Sequence, residues 1–250
     1  MPMHNAARTV GLSIASIQAQ TFPDWEVVVV NDSSTDDSSA VVGTLATKDP
    51  RIILLNNTGE RGAAHARNVA IEHARGRYIA FLDADDMWLP TKLDQQLLRL
   101  RTTGGAICHT WYAKIDAETK VDPTTFTPRT RIVTSPLHLT YQHMLRQDYV
   151  GFLTALYDVE KVGKRFFPPL KRRQDYAMLL EIMREGHDSF GVGAPLAVYR
   201  AARSGSLSSN KFKAARYNWH IYRHVENLPL PQAAIAFGNY ALRSGLKYLI

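Results

Sequence analysis

The stretch Arg77-Tyr78-Ile79-Ala80-Phe81-Leu82-Asp83-Ala84-Asp85-Asp86 decides how this chain of 250 residues is interpreted. Its first part is largely apolar and prone to form a strand, and three carboxylates come near its end. A buried strand that ends in acidic residues places them at the edge of a sheet, where ligands bind in open α/β folds. Two carboxylates one residue apart suit a hard divalent cation that also takes oxygens from substrate phosphates. Taken alone, a solvated strand end with a helix-capping aspartate explains the pattern equally well.

The composition is that of a folded protein with a basic excess. Hydrophobic residues make up 45% of the chain, which excludes a disordered polypeptide. The formal net charge is +7, which suits an anionic ligand or a lipid surface. No compact Lys/Arg block with interleaved aromatic residues is present, so nucleic acid is not an expected partner. Cys108 is the only cysteine, which excludes an internal disulfide framework and a cysteine metal cluster.

The chain carries no sequence signal for secretion or membrane insertion. The N-terminal residues lack the apolar core of a signal peptide. The longest apolar stretch, 230–250, is interrupted by three polar or charged residues: Asn239, Arg243 and Lys247. We therefore expect a cytoplasmic protein. Four basic residues on a C-terminal helix suit either anionic lipid on the inner face of the membrane or plain solvent: Lys211, Lys213, Arg216 and Arg223.

Strand and helix patterns alternate across the first hundred residues. The predicted strands are 25–30, 51–55 and 77–82, and the predicted helices are 6–20, 36–47, 61–74 and 91–101. This alternation with short connections predicts a parallel sheet with right-handed crossovers. No strand precedes the first helix. We expect either that the sheet lacks this strand or, preferably, that a short apolar strand is encoded upstream of Met1.

The second half of the chain has a less regular pattern. Strands are predicted at 106–115, 150–157 and 190–199, and a Thr- and Pro-rich loop at 117–136. The predicted helices are 137–146, 174–185, 211–226 and 230–247. Residues 1–210 therefore form one α/β domain, and a helical appendage follows at 211–250.

Phosphate groups would have to be bound without a glycine-rich loop. Neither the Walker pattern nor G-x-G-x-x-G occurs, which argues against a P-loop enzyme and a dinucleotide dehydrogenase. A metal and side chains must then hold the phosphates, which points to Asp83 and Asp85. Asp32 ends another strand at the same rim and can accept hydrogen bonds from a base or ribose. Arg67 can supply a cation, unless it is an ordinary exposed helix arginine.

Four segments within residues 1–100 together resemble the GT-A glycosyltransferases of family 2. They are Pro2-Met3-His4-Asn5, Asn31-Asp32-Ser33-Ser34-Thr35-Asp36, Gly62-Ala63-Ala64-His65-Ala66-Arg67-Asn68 and Phe81-Leu82-Asp83-Ala84-Asp85-Asp86. The resemblance implies an α/β fold of the GT-A type, with a mostly parallel central sheet flanked by helices and further helices at the C-terminus. It also implies a nucleotide-diphosphate sugar donor, bound by residues 1–103, and an acceptor bound by residues 104–210.

The resemblance assigns roles to individual residues. Asp32 would contact the base, Arg67 the phosphate or base region, and Asp83 the ribose or sugar. Asp85, in the family's D-x-D motif, would bind Mn²⁺ or Mg²⁺. The loop after the first strand would line the donor site with three further residues: Pro2, His4 and Asn5.

A looser match, Arg173-Gln174-Asp175-Tyr176, stands where the family has its general base. The resemblance gives that role to Asp175. An acceptor hydroxyl must lose its proton as it attacks the anomeric carbon, and a carboxylate within hydrogen-bond reach serves this purpose. A helix N-terminus also favours the anionic form. The plain alternative is a helix-start aspartate with no catalytic part.

The chain departs from the family pattern at four of these positions. Asn31 replaces an aspartate, Ser33 a glycine and Gln174 a glutamate, and His4 stands where tyrosine is usual. The segment 199–208 lacks the histidine that relatives often place there, so a third metal ligand is not identified. This segment could instead close over the diphosphate with Arg200 or Arg203.

The resulting prediction is an inverting, metal-dependent glycosyltransferase acting in cell-surface polysaccharide or glycan synthesis. Its acceptor would be a glycan or a lipid-linked sugar. The alternative from another class is a non-catalytic sugar-nucleotide- or glycan-binding protein of the same fold. A nucleotidyltransferase is a weaker alternative, because it should show a basic, glycine-rich N-terminal phosphate loop.

Overall fold

The computed structural model describes residues 1–119, 121–201 and 211–246, without the side chains of 211–214 and 243–246. Within these ranges the chain forms two β-sheets against which helices pack. The first sheet has three strands: β1 (Pro2–Met3), β2 (Val27–Asn31) and β3 (Ile52–Asn56). The second has seven: β4 (Tyr78–Ala80), β5 (Met87–Trp88), β6 (Ile107–Asp116), β7 (Ile132–Val133), β8 (His138–Leu139), β9 (Leu156–Asp158) and β10 (Ser189–Ala201).

The helices fall largely where apolar residues recur at helical spacing. Their bounds are α1 (Val10–Gln18), α2 (Ser38–Ala46), α3 (Ala63–His73), α4 (Lys92–Thr103), α5 (Tyr141–Arg146), α6 (Val159–Val162), α7 (Gln174–Arg184), α8 (Lys211–His220) and α9 (Leu230–Leu246). A 3₁₀ turn, Phe152–Thr154, precedes β9, and a π-helical turn, Ile221–Val225, extends α8.

The first sheet is parallel throughout, in the order β1-β2-β3. Its centre is the run of four valines in β2, which is buried as its composition predicts. The prediction that no strand precedes the first helix is wrong, because Pro2 and Met3 pair with Val30 and Asn31. Proline is tolerated there because it is the first residue of the strand, where its missing N–H costs no ladder bond.

The second sheet is mixed and runs β4-β9-β6-β10-β5. Its two longest strands, β6 and β10, pair in parallel. Strand β4 joins the sheet by pairing antiparallel with β9. The expectation that the strands ending at Asp32 and Asp83 belong to one parallel sheet is therefore wrong. The reason is the length of β1, whose two residues pair only with the end of β2 and do not bridge β2 to β4.

A cavity of about 130 Å³ lies between β2 and β4. Val27 and Val28 line it from one side, and Ile79 and Ala80 from the other. Met1 lies at this cavity, and its terminal ammonium donates to Val28 O at 2.8 Å. Burial lowers the pKa of this ammonium to about 5. The first residue of the chain is thus part of the interior between the two sheets.

The second half differs most from the sequence expectation. The predicted helix 137–146 is split into β8 and the shorter α5, and the predicted strand 150–157 into the 3₁₀ turn and β9. The predicted loop 117–136 holds β7 near its end, paired with β6. These short elements are set by contacts with β6 and β10, which local periodicity does not encode.

The C-terminal helices share a core with the rest of the fold. Five buried residues from 221–236 belong to the same apolar cluster as α7: Ile221, Tyr222, Leu228, Ala233 and Ala236. The boundary predicted at residue 210 ends the segment 202–210, which lies outside the described residues. Among the helices described, none is both long and apolar enough to span a bilayer.

Candidate active site

The loop after β1 is tied to the loop after β2. His4 Nδ1 lies 2.7 Å from Asp32 O, and Asn5 Oδ1 accepts a hydrogen bond from Thr35 N at 2.8 Å. Asn5 N donates to Ser34 Oγ at 3.1 Å. These bonds bring together the donor-site residues that the resemblance assigned to the first two strand ends, with Pro2 at the start of β1.

Asp32 is a structural anchor for α3. Its Oδ1 accepts from Asn57 Nδ2 at 2.7 Å and its Oδ2 from Gly62 N at 2.8 Å. Gly62 precedes α3 with φ 130°, a conformation that other residues rarely adopt. Asp32 thereby fixes where α3 begins, and with it the direction of Arg67. Whether Asp32 also contacts a base stays a prediction.

Arg67 forms an ion pair with Asp83, with 2.5 Å between Nη2 and Oδ1. The Arg67 side chain is only 12% exposed, against 45% for Asp83. Burial alone would lower the pKa of this guanidinium, but the carboxylates of Asp83, Asp175 and Asp86 raise it above its usual value. Its buried Nε has no hydrogen-bond partner among the described residues. Arg67 is therefore a fixed cation with a donor to spare, not an exposed helix arginine.

Two phenylalanine rings pack against the guanidinium group of Arg67. Its guanidinium carbon lies 5.5 Å from the ring centre of Phe152 and 5.4 Å from that of Phe167. These rings pack on each other and on Phe81, just before the acidic run. Phe152 and Phe167 lie outside the motifs found in the sequence, so this pair of rings, the aromatic platform of Arg67, was missed.

Asn68 holds one side of the platform in place. Its Nδ2 donates to Phe167 O at 3.0 Å, and its Oδ1 accepts from Phe167 N at 2.7 Å. The motif around Arg67 contained Asn68, but nothing in the sequence indicated that it binds a backbone 99 residues away.

The two other aspartates of the acidic run have different environments. The Asp85 side chain is exposed at the rim. Neighbouring protein atoms still remove water from part of its carboxyl group, and this desolvation raises its pKa. The nearby carboxylate of Asp83 raises the pKa further. Asp86 is 2% exposed and accepts from Arg200 N at 2.9 Å, and burial raises its pKa well above its usual value. Asp86 is thus part of the interior.

Arg200 ties β10 to the acidic run. Its Nε donates to Asp85 O at 3.2 Å, and its Nη1 to the carbonyl oxygens of Ala117 and Thr119. These bonds commit the Arg200 side chain to holding the loop that carries Asp85. The suggested closure through Arg203 concerns a residue outside the described ranges.

Asp175 lies in the first turn of α7. Its side chain is half-buried, and its Oδ1 accepts from Tyr176 N at 2.8 Å. Arg173 precedes the helix with φ 62°, and its Nη2 lies 3.3 Å from Asp148 Oδ2. The negative charge of Asp175 raises the pKa of Arg67. Arg67 is therefore influenced by residues from both halves of the chain.

Two carboxylates of the acidic run could contribute ligands to a metal ion. Across residues 1–119, 121–201 and 211–246, no group of three or more His, Cys, Asp or Glu side chains could hold a metal ion. The exposed Asp85 and its neighbour Asp83 are hard oxygen donors whose mutual repulsion a cation would relieve. Such a pair fits Mg²⁺ or Mn²⁺ bound together with the phosphates of a second molecule.

Comparison with known proteins settles the family. The family model described as glycosyl transferase family 2 matches residues 1–160. The chain belongs to this family. This family 2 glycosyltransferase is 35% identical to the putative teichuronic acid biosynthesis glycosyltransferase TuaG of Bacillus subtilis. The 248 aligned residues cover 99% of this chain and 95% of TuaG. It is 33% identical over 231 residues to the Escherichia coli UDP-Glc:alpha-D-GlcNAc-diphosphoundecaprenol beta-1,3-glucosyltransferase WfgD, over 92% of this chain and 86% of WfgD.

Solved structures confirm the predicted GT-A fold. S. aureus TarS 1–349 in complex with UDP-GlcNAc superimposes with a TM-score of 0.71 at 17% identity, over 96% of this glycosyltransferase and 70% of the TarS chain. The mannosyltransferase PcManGT of Pyrobaculum calidifontis, in complex with GDP-Man and Mn²⁺, gives a TM-score of 0.65 at 20% identity, over 95% and 66% of the two chains. The predictions of fold, family and enzyme class are confirmed.

Proposed function

We propose that this glycosyltransferase moves a sugar from a nucleotide-diphosphate sugar to an acceptor hydroxyl, with inversion, in cell-surface polysaccharide synthesis. The relatives named for teichuronic acid and for a diphosphoundecaprenol-linked acceptor support this biological setting. The fold neighbours bound to UDP-GlcNAc and GDP-Man support the class of donor. The acceptor is a lipid-linked glycan at the cytoplasmic face of the membrane.

One observation carries the proposal: the buried Arg67 pairs with Asp83, and the negative charge of Asp175 also raises the pKa of Arg67. Asp83 comes from the donor half and Asp175 from the acceptor half of the chain. A site for sugar transfer needs a cation near the diphosphate and a base near the acceptor, and this arrangement supplies both.

The reaction is a single displacement at the anomeric carbon. The acceptor oxygen attacks the face opposite the diphosphate, and Asp175 takes the proton of that hydroxyl. The bond between the anomeric carbon and the diphosphate oxygen breaks, and its electron pair leaves with the nucleoside diphosphate. Arg67 opposes the negative charge that collects on this leaving group. Because the attack comes from the opposite face, the anomeric centre is inverted.

The donor is held by residues from β1 and from the loops after β1, β2 and β4. Pro2, His4, Asn5 and Asp32 line the nucleoside end, and Asp83 lies at the ribose or sugar. Asp85, with Asp83 beside it, would hold the divalent cation. When bound, Mn²⁺ or Mg²⁺ neutralises charge on the diphosphate.

Two substitutions test the assignment. Asp85→Ala and Asp175→Asn each reduce transfer by roughly 10²- to 10⁴-fold, the range expected when a metal ligand or general base is removed. Only Asp85→Ala weakens metal-dependent donor binding. Transfer is measured with UDP-, GDP- and dTDP-sugars, and donor binding by thermal stabilisation with and without Mn²⁺.

Asp24→Asn is the matched control, because Asp24 is an exposed aspartate remote from the acidic run in the chain. Its transfer rate and donor binding stay at the wild-type level. Unchanged transfer by Asp175→Asn disproves the base assignment. Donor binding that is equally strong with and without metal disproves the role of Asp85.

A further inference from the structure

Helix α9 presents large apolar side chains to solvent. Leu230, Ile235 and Leu242 are 59%, 67% and 69% exposed. Together with smaller exposed residues they form what we call the α9 outer face: Leu230, Pro231, Ala234, Ile235, Ala241 and Leu242. The opposite side of the helix carries Ala233 and Ala236, which are buried in the core. The helix is therefore apolar on both its inner and its outer side.

The outer face lacks the charges that a surface helix normally carries. No Asp, Glu, Lys or Arg occurs from Leu230 to Leu242. A helix on the surface of a globular protein usually places charged residues opposite its buried stripe, and one that is apolar all round is usually covered. The side chains of Ile235 and Leu242, seven residues apart, lie on one stripe. This stripe is a surface that needs an apolar partner.

The chain around α9 is strongly basic. Residues 211–250 contain six Lys or Arg and one Glu, a formal side-chain charge of +5 out of the chain's +7. The one acid, Glu226, has no exposed side-chain surface and pairs with Arg184. Arg216 is exposed on α8, while Arg223 is half-buried and donates to Leu228 O. The side chains of Lys211 and Lys213 lie outside the described residues.

Apolar side chains on a basic segment fit an anionic lipid surface. Lys and Arg are attracted to anionic headgroups, while Leu and Ile enter the acyl boundary. A second copy of this chain would bring another +5 segment against the first, and like charges disfavour that contact. None of the described helices is long and apolar enough to span a bilayer, so a contact of α9 with lipid would run along the membrane surface.

We propose that the α9 outer face is a membrane-docking surface that inserts into anionic lipid. The inference rests on the proposed function in one respect: a lipid-linked acceptor is reached from the membrane surface. Because α9 packs against α5 and shares a core with α7, docking through it would keep Asp175 at a fixed position relative to the bilayer.

Vesicle sedimentation tests the proposal. The full chain is mixed with vesicles of phosphatidylglycerol and phosphatidylcholine, or of phosphatidylcholine alone. We expect binding to the anionic vesicles that weakens as salt is raised, because salt screens the charges. The double variant Ile235→Gln, Leu242→Gln should lower the partition coefficient at least about tenfold, since each side chain loses its transfer out of water. Both positions are exposed, so thermal unfolding stays unchanged.

Leu98→Gln is the matched control, because Leu98 is a 61% exposed leucine on α4. Its vesicle binding equals that of the wild type. No binding of the wild type, or equal loss in the control, overturns the proposal. A wild-type dimer that the double variant converts to a monomer also overturns it, because a second copy then covers α9.

Donor turnover with a water-soluble acceptor separates this inference from the proposed function. The double variant retains that turnover if α9 serves only docking. Turnover without vesicle binding refutes the docking surface alone. Vesicle binding without turnover refutes the proposed function alone.

Discussion

At the residue scale, Lys92 is a charge buried in an apolar interior. Its side chain is fully buried, its Nζ donates to Gln96 Oε1 at 2.6 Å, and it lies 4.1 Å from the ring centre of Trp88. Gln96 is committed in turn, because its Nε2 donates to Thr154 O at 2.9 Å. Burial lowers the pKa of Lys92 to about 7.

This shifted pKa predicts how stability depends on pH. Below about pH 7 both the folded and unfolded chains hold the Lys92 proton. Between about pH 7 and the usual value of 10.5 only the unfolded chain holds it, so the free energy of unfolding rises with pH by up to about 5 kcal/mol. Lys92→Met removes this rise, measured by urea unfolding from pH 6 to pH 10.

Lys48→Met is the control for this prediction, because Lys48 is exposed. Its unfolding free energy follows the same pH profile as the wild type. If Lys92→Met keeps the wild-type slope, the ammonium is not buried as the structure shows.

Ser33 occupies a backbone conformation that favours glycine. The resemblance placed a glycine at this position, and the backbone of Ser33 has φ 59°, in the left-handed region that favours glycine. The serine is therefore tolerated at a conformational cost of about 1–2 kcal/mol. The sequence showed the substitution, but only the backbone explains why glycine is the usual residue.

At the scale of elements, α3 connects three parts of the site. Its start is fixed by Asp32, Arg67 projects towards Asp83, and Asn68 holds the backbone of Phe167. Neighbouring residues on one helix thus serve both halves of the chain. A change at Asn68 should therefore alter the position of the Phe167 ring and with it the packing of Arg67.

Asn68→Ala tests this connection. The variant loses two hydrogen bonds to Phe167, and we expect the free energy of unfolding to fall by about 1–3 kcal/mol. Donor binding weakens as well, because the ring beneath Arg67 is no longer held. Urea unfolding and thermal stabilisation by the donor measure the two effects. Glu72→Ala on the exposed side of α3 leaves both unchanged, and an equal loss there contradicts the explanation.

At the scale of the whole molecule, Glu226 joins the C-terminal helices to the α/β domain. Its buried carboxylate accepts from Tyr141 Oη at 2.7 Å and from Arg184 Nη1 at 3.1 Å, on α5 and α7. Burial raises its pKa, so the charged form is kept at a cost. The helices after residue 210 are therefore bound to the core by polar as well as apolar contacts.

Glu226→Ala should destabilise the entire fold. It leaves the half-buried Tyr141 hydroxyl without its acceptor, at a cost of about 1–3 kcal/mol, whereas Glu226→Gln keeps an acceptor oxygen and costs less. We expect one cooperative transition, shifted for Glu226→Ala, by both tryptophan fluorescence and circular dichroism. Early melting of a helical fraction alone would instead indicate an independent C-terminal unit.

The sequence by itself determined the α/β class, most of the helices and strands of the first hundred residues, and the family motifs. These features are local: hydrophobic period, turn residues and short motifs act over a few positions of the chain. The same locality placed Asp32, Asp83 and Asp85 at strand ends, and Asp175 in the first turn of a helix.

Only the tertiary structure decided how these parts meet. It separated β2 from β4, because β1 is two residues long, and it placed Phe152 and Phe167 beneath Arg67. It also joined Asn68 to Phe167 and Glu226 to α5 and α7. These contacts link residues 42 to 100 positions apart, and their energies depend on burial, which the chain acquires only when it folds.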